Sequence, residues 1–161
     1  MTNQPPDRRV VDDGLFIVCG LAWGAGLIHA EAAIGHLDES SLYAALFALL
    51  ATAQFVWGAA VYRSRDSRLL WGGAAVSLSV VAVWAASRMI GLPFGPQHWQ
   101  PEPVGLIDSI ATADEIVLAV LVTLWFAGGR RGIARKVVLA VAVALLLLSS
   151  LSLVGDTAHV G

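Results

Sequence analysis

Five long apolar stretches dominate this 161-residue chain. Each runs for roughly 20 to 24 residues, enough for a helix to cross a hydrocarbon core of about 30 Å. Water is absent from such a core, so the backbone N–H and C=O groups of these stretches must pair within the helix itself. The stretches extend from Leu15 to His36, Leu42 to Tyr62, Leu69 to Ile90, Val104 to Ala127 and Ala134 to Val154. Only 14% of the residues are charged, against about a quarter in an ordinary soluble domain. The sequence therefore predicts an all-α integral membrane bundle of five transmembrane helices. A polar N-terminal tail over 1–13 precedes one transmembrane domain over 14–155, and a short tail over 156–161 follows it. Too little chain is left for a catalytic head or a nucleic-acid module, and the expected surroundings are the lipid bilayer.

Charge placement orients the bundle. Arg8, Arg9, Arg63, Arg65, Arg68, Arg130, Arg131, Arg135 and Lys136 fall on one side of the alternating spans, leaving Arg88 alone on the other. By the positive-inside rule the N-terminus is cytoplasmic and the C-terminus is outside. The Ala30-Glu31-Ala32 run has the small-x-small form of a signal-peptide cleavage site. However, Asp7, Asp12 and Asp13 cancel the positive charge such a leader needs, so the first stretch is expected to stay as a span.

Ionisable side chains inside a span cost roughly 2.5 to 3.5 kcal/mol each on insertion scales, so their grouping carries information. On this topology His29, Glu31, His36, Arg88, Asp108, Asp114 and Glu115 all lie in the outer half, with Gln54 at similar depth. An outward-opening polar pocket over an apolar inner half is the consequence. Residues seven apart on a helix differ by only about 20°, so His29 and His36 share a face, as do Asp108, Thr112 and Glu115. Glu31 and Asp114 point elsewhere. Two imidazoles and two carboxylates at matching depths make a nitrogen and oxygen metal site, with His29, His36, Asp108 and Glu115 as candidate ligands and Gln54, Arg88 and Glu102 supporting them. A seven-residue separation spans about 10 Å, so a single ion is expected to take His29 with Glu115 or Asp108, and two ions would use all four.

Four of the six prolines lie in the loop from Gly91 to Pro103, which reads as a rigid cap whose His98 and Glu102 reach the pocket mouth. Heme is not expected, because His29 and His36 lie on one helix and no facing histidine supplies a second axial ligand. Retinal is excluded by the position of the sole lysine, Lys136, at the inner edge. Copper(I) is disfavoured because Met1 and Met89 are the only methionines and the lone Cys19 lies in the opposite half. Gly20 and Gly24 on the first stretch, and Gly72, Ala75 and Ser79 on the third, offer small-residue surfaces for close packing or for a homo-oligomer.

The run Ser87-Arg88-Met89-Ile90-Gly91-Leu92-Pro93-Phe94-Gly95-Pro96, followed by Pro101-Glu102-Pro103-Val104-Gly105-Leu106-Ile107-Asp108 and Glu115, resembles a group of small uncharacterised bacterial multi-pass membrane proteins. So does His29 to His36 followed by Tyr43 and Gln54. The resemblance spans the first 125 residues or so. It implies a multi-helix fold in the bacterial cytoplasmic membrane, and it brings no activity or ligand with it.

The expected function is a non-enzymatic, outward-facing membrane protein that binds a divalent ion such as copper(II), zinc or manganese, in metal handling or transport. Two alternatives stand beside it: a structural or assembly subunit of a membrane complex whose polar cluster only packs helices, and a metal-dependent intramembrane enzyme, for which no nucleophile or base motif is present.

Overall fold

A computed structural model describes residues 8–95 and 98–126, and within them it is all helix and connecting loop, with no strand. Helix α1 spans Arg8–Gly35, α2 Ser41–Ser64, α3 Ser67–Met89 and α4 Leu106–Phe126. These four match the first four expected stretches; the fifth, over 134–154, lies outside the described residues. Helix α1 starts at Arg8, inside the segment expected to be a polar tail. The physical reason is that no proline or glycine interrupts the chain between Pro6 and Gly14, so the helix continues out past the apolar stretch.

The helix ends are set by local chemistry. Ser40, in extended conformation, caps α2 by accepting from the Tyr43 N–H at 3.4 Å. The tight link to α3 is made by Arg65 in the left-handed region (φ 55°), whose N–H closes on the Val61 carbonyl. Asp66 then caps α3 by accepting from the Arg68 N–H at 2.8 Å. The long loop after α3 is folded back on itself. Trp99 N–H donates to the Leu92 carbonyl at 2.8 Å and Glu102 N–H to the Ser87 carbonyl at 3.0 Å. Gly91 (φ 73°) makes that return possible, since a Cβ there would meet the Gln100 backbone nitrogen at 2.5 Å.

Helices α1, α2 and α3 are long and apolar enough to cross a membrane. Much of their apolar surface faces outward: Leu49, Val56, Val76, Leu78 and Val83 of α2 and α3 are all exposed. In water that would be an unstable surface, whereas in lipid it costs nothing. Helix α1 packs along both α2 and α4, and α4 packs on α3, while α2 and α3 touch sparsely. Two tryptophan rings pack close against glycines. A Cβ on Gly58 would come within 2.5 Å of the Trp23 indole nitrogen, and one on Gly73 would collide with the Trp57 ring. The small residues buried on α3 are Gly73, Ala74 and Ser77, whereas the expected Gly72, Ala75 and Ser79 are exposed.

The apolar core holds Leu15, Val18, Leu21, Ala22, Val61, Leu70, Leu118 and Val122, with Cys19 among them donating to the Gly58 carbonyl at 3.3 Å. It lies at the end of the bundle that carries the Arg65–Asp66 turn. The opposite end, closed by the 36–40 turn and the 90–105 loop, is where the polar side chains collect.

Candidate functional site

Helix α4 provides the spine of the site. Asp108, Thr112 and Glu115 follow one another down its face, from the loop towards the interior. Exposure falls along that line: the Asp108 side chain is 44% exposed and the Glu115 side chain 2%. Thr112 turns its hydroxyl back onto the Asp108 carbonyl at 2.8 Å, so it is spent on its own helix. The polar residues accordingly divide into two groups at different depths.

The shallow group is an ionic clamp centred on Arg88 of α3. One guanidinium nitrogen donates to Glu102 of the loop, and the other to Asp108 of α4 at 2.5 Å. A planar fork carrying five donors suits two carboxylates at once. The guanidinium carbon also lies 5.8 Å from the centroid of the Trp84 ring. Tyr43 of α2 completes the closure: its hydroxyl is 3.1 Å from the Phe94 carbonyl and 3.2 Å from Glu102 Oε1, and its one proton serves either acceptor. The clamp thereby ties α2, α3, α4 and the loop together, with a cation answering its acids.

The deep group is His29 of α1, Gln54 of α2 and Glu115 of α4, which leave 6%, 8% and 1% of their surfaces exposed. The Gln54 amide nitrogen donates to Glu115 Oε1. His29 Nε2 sits 3.8 Å from that same oxygen, beyond the range of a hydrogen bond. His29 Nε2 and Gln54 Oε1 are both buried without a hydrogen-bond partner among the described residues. Each such orphan costs about 1 to 3 kcal/mol, so the packing holds unsatisfied donor and acceptor capacity around one carboxylate. Asp114, one position before Glu115, is fully buried in the same layer of the bundle.

The two histidines share a face of the first helix as expected, but they do not converge on one point. The Phe47 ring of α2 slots between them, stacked on His29 at 5.7 Å and on His36 at 5.4 Å between centroids. Three stacked rings fill the gap that seven residues of helix rise create. His36 turns instead to Glu39, 3.2 Å away, near the surface. Of the four candidate ligands, the structure brings His29 and Glu115 together, assigns Asp108 to Arg88, and leaves His36 one aromatic ring removed. Gln54 touches Glu115, while Arg88 and Glu102 belong to the clamp. His98 lies on the loop surface, its Nδ1 3.2 Å from the Pro93 carbonyl. Among the described residues no three of His, Cys, Asp and Glu gather closely enough to hold a metal by themselves.

Sequence reasoning gave no role to Phe47 and placed Tyr43 only within a resemblance. A signal for Tyr43 existed: an aromatic hydroxyl in the first turn of an apolar helix needs a partner there, and the nearest polar backbone is the proline-rich loop. Nothing comparable marks Phe47. No protein-family model matches this chain, and searches of curated proteins and of solved structures likewise return no match.

Proposed function

We propose that this is a non-enzymatic, outward-facing membrane protein that binds a divalent cation between His29 and Glu115. One observation carries the reading: a buried imidazole nitrogen without a hydrogen-bond partner lies 3.8 Å from a buried carboxylate oxygen. That separation is too long for a hydrogen bond and suits two ligands on one ion, each about 2.0 to 2.2 Å from it. Neutral imidazole and carboxylate are donors for zinc, copper(II) or manganese, and among the described residues no sulfur ligand stands nearby to favour copper(I). The Arg88 clamp, at the shallower level, keeps Asp108 engaged.

The proposed topology is five spans, with α4 as the fourth and the 134–154 stretch as the fifth, the arginine-rich turns in the cytoplasm and the polar end outside, in the bacterial cytoplasmic membrane. Reporters fused after residues 66, 98 and 161 test it, with the first expected inside and the other two outside. For the site, purified protein is stripped with a chelator, reloaded with zinc and analysed for bound metal. Near-stoichiometric zinc, lost in His29→Ala and in Glu115→Gln while both remain helical, is the expected result. Metal-free wild-type protein would sink the proposal.

A second reading, an assembly subunit of a membrane complex, is favoured by the exposed stripe of Gly72, Ala75 and Ser79 on α3. Small residues on a lipid-facing helix allow another helix to approach closely. Retention of a partner through Ala75→Leu would count against it.

A further inference from the structure

We propose that Gln54 is a ligand of the cation as well as a hydrogen-bond partner of Glu115, and that its amide turns over when the site is loaded. The inference rests on the His29–Glu115 reading and adds a third donor from a third helix. Its basis is the division of labour within one amide group. The nitrogen donates to Glu115 Oε1, while the oxygen is buried with no partner among the described residues. The side chain as a whole is 8% exposed, so water does not answer that oxygen from bulk.

The buried carboxylate explains this orientation. A desolvated carboxylate needs a donor, and the amide N–H is the donor at hand. A cation on Glu115 reverses that demand. The N–H dipole then faces a positive charge and is repelled, whereas the amide oxygen is attracted. Both atoms share one carbon, so a half-turn about the last side-chain bond exchanges them without moving α2. The loaded site would present His29 Nε2, a Glu115 oxygen and Gln54 Oε1, one nitrogen and two oxygens from α1, α4 and α2. Such a set selects a borderline or hard divalent cation of the zinc or manganese type over a soft monovalent one. Cys19, the one thiol, is engaged with the Gly58 carbonyl in the apolar half and does not compete.

The test uses the full chain in detergent, stripped of metal and titrated with zinc, together with Gln54→Leu and Gln54→Met. Helical content and a single chromatographic species are checked for each variant. Gln54→Leu is expected to weaken zinc binding tenfold or more. Gln54→Met, which supplies a thioether but no N–H, is expected to shift preference from zinc towards cadmium; a residue that only props Glu115 would make the Leu and Met variants behave alike. In wild-type protein labelled with carbon-13 at the glutamine side-chain carbonyl, zinc should move one carbonyl infrared band. That measurement stands even if both variants fail to fold. Zinc binding by the wild type with an unmoved band, or Leu and Met variants within threefold of wild type, would overturn the role of Gln54 while leaving the His29–Glu115 site standing. No binding of zinc, manganese or cadmium by the wild type would remove the underlying site instead.

Discussion

The clamp and the buried trio are both built from acids on α4, yet they treat those acids in opposite ways. Asp108 at the shallow end is met by a guanidinium that Glu102 shares and that Trp84 underlies. Glu115 at the deep end is met by a neutral amide and by an imidazole too far away for a hydrogen bond. Full charge belongs to a joint that holds helices together, because an unanswered charge in a low-dielectric site costs more than most single contacts return. An incompletely answered acid belongs to a site with capacity left for a ligand. The difference teaches that proximity on one helix face says little about role: Asp108 and Glu115 share that face, and their neighbours on other helices decide what each one does.

Four single substitutions and one double variant sharpen or break this contrast, and Arg88→Leu should have the largest effect. It strands Glu102 and Asp108 together, and loss of one partner of a buried pair costs roughly 3 to 5 kcal/mol. The lower end is expected, since Asp108 is 44% exposed and water answers part of its charge. Adding Asp108→Leu should recover much of the loss in denaturant unfolding, because the stranded charge leaves with its partner. If the double variant is no better than the single one, Asp108 is not held by Arg88 in the way the clamp requires.

Glu115→Gln should do the reverse. Removing a charge from the deep site spares its desolvation, so unfolding should shift by no more than about 1 kcal/mol while bound zinc is lost. A loss as large as that of Arg88→Leu would make the trio a structural joint like the clamp and erase the contrast.

Tyr43→Phe removes the hydroxyl that ties α2 to the loop without removing the ring that packs edge-on against Phe94. One hydrogen bond is at stake, about 1 kcal/mol. Zinc content should be unaffected at equilibrium, and faster hydrogen exchange of the Trp99 amide would report the loosened cap. The smallest effect is expected for Glu31→Gln. Two positions from His29 on α1, it points about 200° around the helix. Zinc content should match wild type, and any clear drop would show that the site is larger than His29, Gln54 and Glu115.

Apolar length alone located the four described helices to within a few residues, apart from the early start of α1. Charge spacing on the helical wheel put Asp108 and Glu115 on one face and separated Glu31 from His29. These readings depend on one helix at a time, and helical geometry is fixed. Pairings between helices were not legible in the same way. Nothing in the order of residues tells that Phe47 would fill the space between His29 and His36. Arg88, as the only cation on its side of the spans, was the expected partner of Asp108 or Glu102, and it takes both. Nor does the order of residues tell that Gly73 rather than Gly72 would receive the Trp57 ring. Each depends on how two helices are rotated about their own axes, and that rotation is settled by the packing of the whole bundle.

The sequence by itself determined that the chain is helical and that its polar residues collect at one end, and it offered His29, His36, Asp108 and Glu115 together as candidate ligands. Those facts follow from hydrophobicity, from helix periodicity and from the cost of placing ionisable groups in an apolar environment. Tertiary structure decided which acid meets a guanidinium and which meets a neutral amide. A guanidinium on α3 reaches the first turn of α4 but not the third, and an amide from the middle of α2 reaches Glu115 where no arginine among the described residues does.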